Sequence, residues 1–161
     1  MQKTFFEVRH VEKKDLGEVK RLIESVDPHA SSYVVEKAAE EVASPSGRKP
    51  STAAYVAEVH EGGKKRIAGV ATMYRTEDRA SLHTILIHPD YRRRGIAPEL
   101  VKARVQHAFD KWKASRILFM ASAREKEPFE AYKKIGFKPV GTGVFSLTRA
   151  EYLKALQKQR K

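Results

Sequence analysis

The stretch from Leu86 to Ala97 constrains this chain more than any other. It runs from apolar strand-type residues through Pro89-Asp90-Tyr91 and three consecutive arginines to Gly95, after which a helical stripe begins. The chain must pass from a strand into a helix within a few residues, and its basic turn must sit at the helix N-terminus. That position presents unpaired N–H groups and partial positive charge, and Gly95 lets the backbone approach a ligand with no Cβ in the way. A phosphate-bearing anion fits there. The segment lacks the Gly-x-x-x-x-Gly-Lys-Ser/Thr of a P-loop and the Gly-x-Gly-x-x-Gly of dinucleotide folds, so neither architecture is expected.

The remaining periodicities supply the elements around it. Residues 4–8 alternate as a strand, and Leu16, Val19, Leu22, Ile23 and Val26 recur at helical spacing until Asp27-Pro28. Ser31-Ser32 can cap a second helix running to Ser44, and a loop follows over 44–50. Residues 53–59 and 67–74 are strand-like, and the Gly62-Gly63 pair between them predicts an antiparallel hairpin, with a third strand over 81–88. A long helix is expected over 95–112, a strand over 116–121, a short helix over 129–135 and a strand pair within 138–147. Trp112, Phe109, Phe119, Phe129 and Phe137 fall on the apolar faces of their elements and are expected in the core. Residues 149–161 read as a basic, partly helical, fraying tail. This order predicts one α/β (α+β) domain over residues 1–161 without a linker.

Composition removes several chemistries. With no cysteine in 161 residues, a disulfide framework, a zinc-thiolate site and a cysteine nucleophile are excluded. No apolar run approaches the roughly 20 residues that span a bilayer, and Met1-Gln2-Lys3-Thr4-Phe5 begins no secretory segment, so a cytoplasmic protein without a membrane partner is expected. The formal charge of +12 is unevenly spread: residues 1–80 carry 14 basic and 13 acidic side chains, residues 81–161 carry 18 and 7. An anionic ligand is therefore expected to meet the second half.

Arg92-Arg93-Arg94-Gly95-Ile96-Ala97 resembles the Arg/Gln-x-x-Gly-x-Gly/Ala signature of the GNAT family of N-acetyltransferases. Leu86-Ile87-His88-Pro89-Asp90-Tyr91 is similar to the strand and turn before that signature, and residues 129–137, with Tyr132, Gly136 and Phe137, resemble the family's later Tyr-x-x-x-Gly-Phe segment. Two motifs in order are far more specific than either alone. The resemblance implies a GNAT fold with a mixed, mostly antiparallel central sheet flanked by helices, and acetyl-CoA as co-substrate without a metal. It implies that main-chain groups of Ile85, Leu86 and Ile87 pair with the pantetheine amides, and that Arg92, Arg93, Arg94, Gly95, Ile96 and Ala97 form the pyrophosphate arm. Pro98 cannot donate, so one contact beyond the arm is missing. Glu125 stands where many relatives have an Asn, and that contact is not carried over.

Acetyl transfer needs a neutral amine and a proton for the departing sulfur. With a lysine-like amine at ~10.4 and a thiol at ~8.5, both proton transfers need help near neutrality. By resemblance Tyr132 donates to the thiolate. The strands over 81–88 and 116–121 offer Ser81, His83, Thr84 and Met120 but no carboxylate, which leaves His83 as the candidate base, with a water chain as its alternative. His88, next to Pro89, is expected at the surface. Glu36, Glu40 and Glu41 could attract a cationic amine, although their helical spacing is that of a solvated face. The sequence leaves the amine acceptor, protein or small molecule, and the oligomeric state open. Two alternatives accompany the N-acetyltransferase reading: an acyl-CoA sensor without turnover, and a nucleic-acid-binding module using the basic half. Contact with nucleic acid is expected only as a secondary electrostatic property, because no recognition motif or aromatic platform accompanies the charge.

Overall fold

Gly62 and Gly63, at φ +54° and +77°, supply the left-handed pair that turns β2 (Thr52–Glu61) back along β3 (Lys64–Thr76) with Glu61 opposite Lys64. This hairpin is the centre from which the sheet grows. β1 (Phe6–His10) adds antiparallel to β2, and β4 (Arg79–Ile87) adds antiparallel to β3. β5 (Arg116–Met120) then pairs parallel with β4, reached through α3 (Ile96–Gln106), as a parallel neighbour requires. β6 (Lys138–Gly141) and β7 (Val144–Thr148) close the order β1-β2-β3-β4-β5-β7-β6. The computed structural model describes residues 5–43, 50–120 and 127–159.

Strand alternation sends side chains to two cores. Tyr55, Ala57, Met73, Leu82, Ile117 and Phe119 pack under α3, together with Ala131 and Tyr132 of α4 (Glu127–Ile135). Ala54, Val56, Ile67 and Val70 pack on the other face against α1 (Leu16–Val26) and α2 (Tyr33–Ala43). Trp112, Phe109, Phe119 and Phe137 are buried as expected, while the expected loop over 44–49, the side chain of Phe129 and Glu125 lie outside the described residues.

Two expectations change. The long helix over 95–112 ends as α3 at Gln106 and continues as a wider turn over His107–Lys111, in which Trp112 N–H reaches back to the His107 carbonyl at 3.1 Å. That turn sets Trp112 edge-on against His107 at 5.0 Å. Burial pushes the His107 imidazole down to about 4, and its Nδ1 lies 2.7 Å from the Tyr55 hydroxyl. The expected fraying tail is instead α5 (Arg149–Gln159). Thr148 and Glu151 cap it reciprocally, Thr148 N–H donating to Glu151 Oε1 at 2.8 Å and Glu151 N–H to Thr148 Oγ1 at 3.2 Å. Tyr152 then stacks on Phe109 at 5.2 Å, and Arg149 donates to the Phe109 carbonyl. The helix is held because Thr148-x-x-Glu151 is a capping box and its first turns find Phe109 in the turn after α3.

Candidate active site

The site begins with a bulge. Ala71 pairs with Ile85 and Met73 with Leu82, so the single residue Thr72 on β3 faces His83 and Thr84 on β4. Thr84 N–H, without a ladder partner there, donates to Thr72 Oγ1 at 3.0 Å. The β4–β5 ladder ends at the pair Leu82 and Phe119, whereas Ile85, Leu86 and Ile87 stay paired with β3. Among the described residues, nothing pairs with the other edge of 85–87. A strand edge of this kind accepts an extended amide chain as it would another strand.

From this open end the chain enters the arm. Pro89–Tyr91 forms one tight turn, in which His88 Nδ1 accepts from Asp90 N–H at 3.1 Å. His88 is half-buried, not fully at the surface. Tyr91 is buried and donates to Glu61 Oε2 at 3.0 Å, while the Arg94 guanidinium donates to Glu61 Oε1 at 3.1 Å and lies 4.9 Å over the Tyr91 ring. Arg93 and Gly95 both have left-handed backbone, at φ +62° and +85°, which makes a concave run of N–H groups. Gly95 is the N-cap of α3 and makes no side-chain capping bond, so the first N–H groups of the helix remain available. A Cβ on Gly95 would meet nothing within 4 Å. Glycine is needed here for its φ and for what approaches from outside.

Gly69 does the opposite work. A Cβ there would come within 2.9 Å of Ile87, 3.2 Å of Leu100 and 3.3 Å of Ile96, so its absence lets the first turns of α3 lie directly on β3 and β4. Ile96 anchors the arm in the core, and residues 92–95 stay exposed.

Tyr132 lies on α4 with 5% of its surface exposed, its ring stacked on Phe119 at 4.0 Å and edge-on to Phe137 at 5.5 Å. Its Oη accepts from Arg104 Nη2 at 2.9 Å. Phe119 is the residue at which the β4–β5 ladder stops, so the phenol sits beside the point where the two strands part. His83 is exposed in the bulge and meets Tyr74 edge-on at 5.9 Å, on the face opposite the Met73 side chain. The two candidate proton carriers are thus on different sides of the sheet.

Arg104 was not legible as a site residue, although a signal existed. It stands on the apolar stripe Leu100, Val101, Val105 and Ala108, where a charge needs a reason. Two of the three acidic residues of α2 are already engaged: Glu36 pairs with Lys20 at 2.7 Å, and Glu41 accepts from Ser51 N–H and the Thr52 hydroxyl, while Glu40 is exposed. Much of the second half's charge is also elsewhere. Lys133, Lys134, Lys138, Lys154 and Lys158 line a cleft formed by α4, β6 and α5, with Glu151 bonded to Lys138 at 3.1 Å. Among the described residues no cluster of His, Asp and Glu could hold a metal, and no helix is long and apolar enough to cross a membrane.

The family model described as the acetyltransferase (GNAT) family matches residues 18–137. Among solved structures, the chain is similar to spermidine N-acetyltransferase from Vibrio cholerae in complex with CoA and spermine, at 17% identity and TM-score 0.67, covering 92% of this chain and 98% of that one. It is also similar to the ribosomal-protein-S18-alanine N-acetyltransferase from Escherichia coli, at 17% identity and TM-score 0.63, over 89% and 94% of the two chains. The IAA acetyltransferase from Bacillus cereus matches at 17% identity and TM-score 0.60, over 85% and 79%. No curated protein sequence matches the chain.

Proposed function

This chain belongs to the acetyltransferase (GNAT) family, and we propose that it carries acetyl-CoA on the free edge of β4 and transfers the acetyl group to a primary amine by direct attack, with Tyr132 as the acid. One observation carries this reading: the β4–β5 ladder ends at Leu82 and Phe119, next to the bulge at His83 and Thr84, so among the described residues the edge of 85–87 that faces away from β3 has no partner, just before an uncapped helix N-terminus. Pantetheine amides bond along Ile85, Leu86 and Ile87. The pyrophosphate lies in the nest of N–H groups from Arg93 to Ala97, with the Arg92 and Arg94 side chains beside it. This seats the thioester where β4 and β5 part, beside Tyr132. A neutral amine attacks the carbonyl, the C–S bond breaks, and the sulfur takes the Tyr132 proton. His83, exposed on the opposite face, takes the proton that the amine gives up, directly or through water.

The acceptor approaches across the face that α1 and α2 leave uncovered. Leu82 and Phe119 point into the core, so by alternation Arg79, Ser81, Arg116, Leu118 and Met120 point outward, and Met120 is 79% exposed. β4, β5, β6 and β7 carry no carboxylate, and Arg79 stands directly beside Arg116 in register. Such a face repels a polycation and favours an amine with a neutral or acidic surround. Contact with nucleic acid is a secondary property of the lysine cleft.

The test is thiol release from acetyl-CoA with a panel of amines: spermine, peptide N-termini and lysine peptides with acidic or basic flanks, and small neutral amines. We expect CoA release with singly charged or acid-flanked amines and slower turnover with spermine. Turnover fastest with spermine would reverse the acceptor assignment. Binding of acetyl-CoA without release across the whole panel would favour the sensor reading.

A further inference from the structure

Arg104 has no exposed surface, and no carboxylate lies within ion-pair distance of it among the described residues. Burying a guanidinium away from any carboxylate is costly in a way that burying an apolar side chain of the same size is not. Among the described residues Arg104 makes two hydrogen bonds, Nη1 to the Thr72 carbonyl at 3.1 Å and Nη2 to Tyr132 Oη at 2.9 Å, and Nε has no partner there. As a structural element this is a poor arrangement. Both bonds, however, go to the parts that define the site: the β3 residue opposite the bulge, and the phenol.

A guanidinium only donates, so Tyr132 Oη is an acceptor in this bond and its own proton must point elsewhere. Among the described residues Oη has no second partner. We propose that Arg104 is a positioning residue for acetyl transfer: by donating to Tyr132 Oη it directs the phenolic proton toward the leaving sulfur and holds the phenolate that remains once the proton is given. The inference rests on the reading of Tyr132 as the acid. The step balances without a further reactant. The carbon–sulfur pair returns to sulfur, sulfur takes the Oη proton, the phenolate oxygen stays bonded to the guanidinium, and water carrying the amine's proton restores the phenol. The bond to Thr72 fixes the guanidinium to β3 and so aligns Tyr132 with the place where β4 and β5 separate.

The test compares Arg104→Met, Arg104→Lys, Tyr132→Phe and the Arg104→Met/Tyr132→Phe double variant, each checked for folding by thermal unfolding. Arg104→Met should lower kcat roughly 10- to 100-fold, the size of one charge-assisted hydrogen bond, with KM for acetyl-CoA within about twofold. Arg104→Lys, which retains a charged donor, should recover part of the loss. In the Tyr132→Phe background Arg104→Met should add almost nothing, because there is no proton left to direct. If the two losses multiply, or if Lys is no better than Met, Arg104 is a packing residue and the proposal is overturned while the acid assignment stands. If Tyr132→Phe alone leaves kcat unchanged, the acid assignment falls and this proposal falls with it. Should Arg104→Met not fold, Arg104→Lys in the presence and absence of the Tyr132 hydroxyl gives the same comparison.

Discussion

Tyr132→Phe should lower the turnover number by ~10²–10⁴, the usual contribution of a general acid, with little change in affinity for acetyl-CoA. The ring is held by Phe119 and Phe137, and those contacts survive the loss of a hydroxyl. What is lost is the proton proposed for the sulfur and the acceptor for Arg104 Nη2. Leaving that donor unpaired costs about 1–3 kcal/mol of stability, so the rate comparison belongs well below the variant's unfolding midpoint. Steady-state kinetics with acetyl-CoA and a good acceptor, run where chemistry limits turnover, make the measurement. An unchanged kcat would reduce Tyr132 to a packing residue and leave the thiolate to be protonated by solvent.

Gly95→Glu should abolish acetyl-CoA binding in calorimetric titration while the protein still folds. The position has φ +85° and open space around its missing Cβ, so the penalty to the fold is the left-handed strain of one residue, about 1–2 kcal/mol. The penalty to binding is far larger. A carboxylate would project from the N-cap of α3 into the place proposed for the pyrophosphate at the N–H groups from Arg93 to Ala97, adding like charge and bulk together. Gly95→Ala separates the two effects, since it brings the same backbone strain without the charge and should retain measurable binding. Wild-type affinity in Gly95→Glu would mean that the pyrophosphate sits elsewhere.

The sequence made legible those parts of the fold that are fixed over short stretches of chain. Gly62-Gly63 set the β2–β3 turn, the stripe from Leu16 to Val26 set α1, and Gly95 ahead of an apolar stripe set the start of α3. The capping box of Thr148 and Glu151 was equally local and equally readable, but the basic composition of residues 149–161 obscured it. The bulge at His83 and Thr84 was beyond local reading. It is a property of register between two strands, and no residue type at 83 or 84 demands it. The same limit applies to the site. Tyr132 could be found by its motif, yet its partner Arg104 lies 28 residues away and is joined to it only by the packing of α3 on α4. Likewise the exposure of His83 and the burial of Tyr132, which put the two proposed proton transfers on different faces, depend on which strands the helices cover.

Amide hydrogen exchange of the wild-type protein, with and without saturating acetyl-CoA, addresses the seat of the cofactor most directly. Added ligand that binds only the folded state slows exchange everywhere in proportion to RT ln(1 + [L]/Kd), so the informative signal is local excess protection above that background. The open edge of β4 and the uncapped turn at Gly95 predict that excess at residues 85–87 and 93–97, and Gly95→Glu should erase it. Protection confined to other segments, or none at any concentration of acetyl-CoA, would contradict the placement of the cofactor on this strand edge.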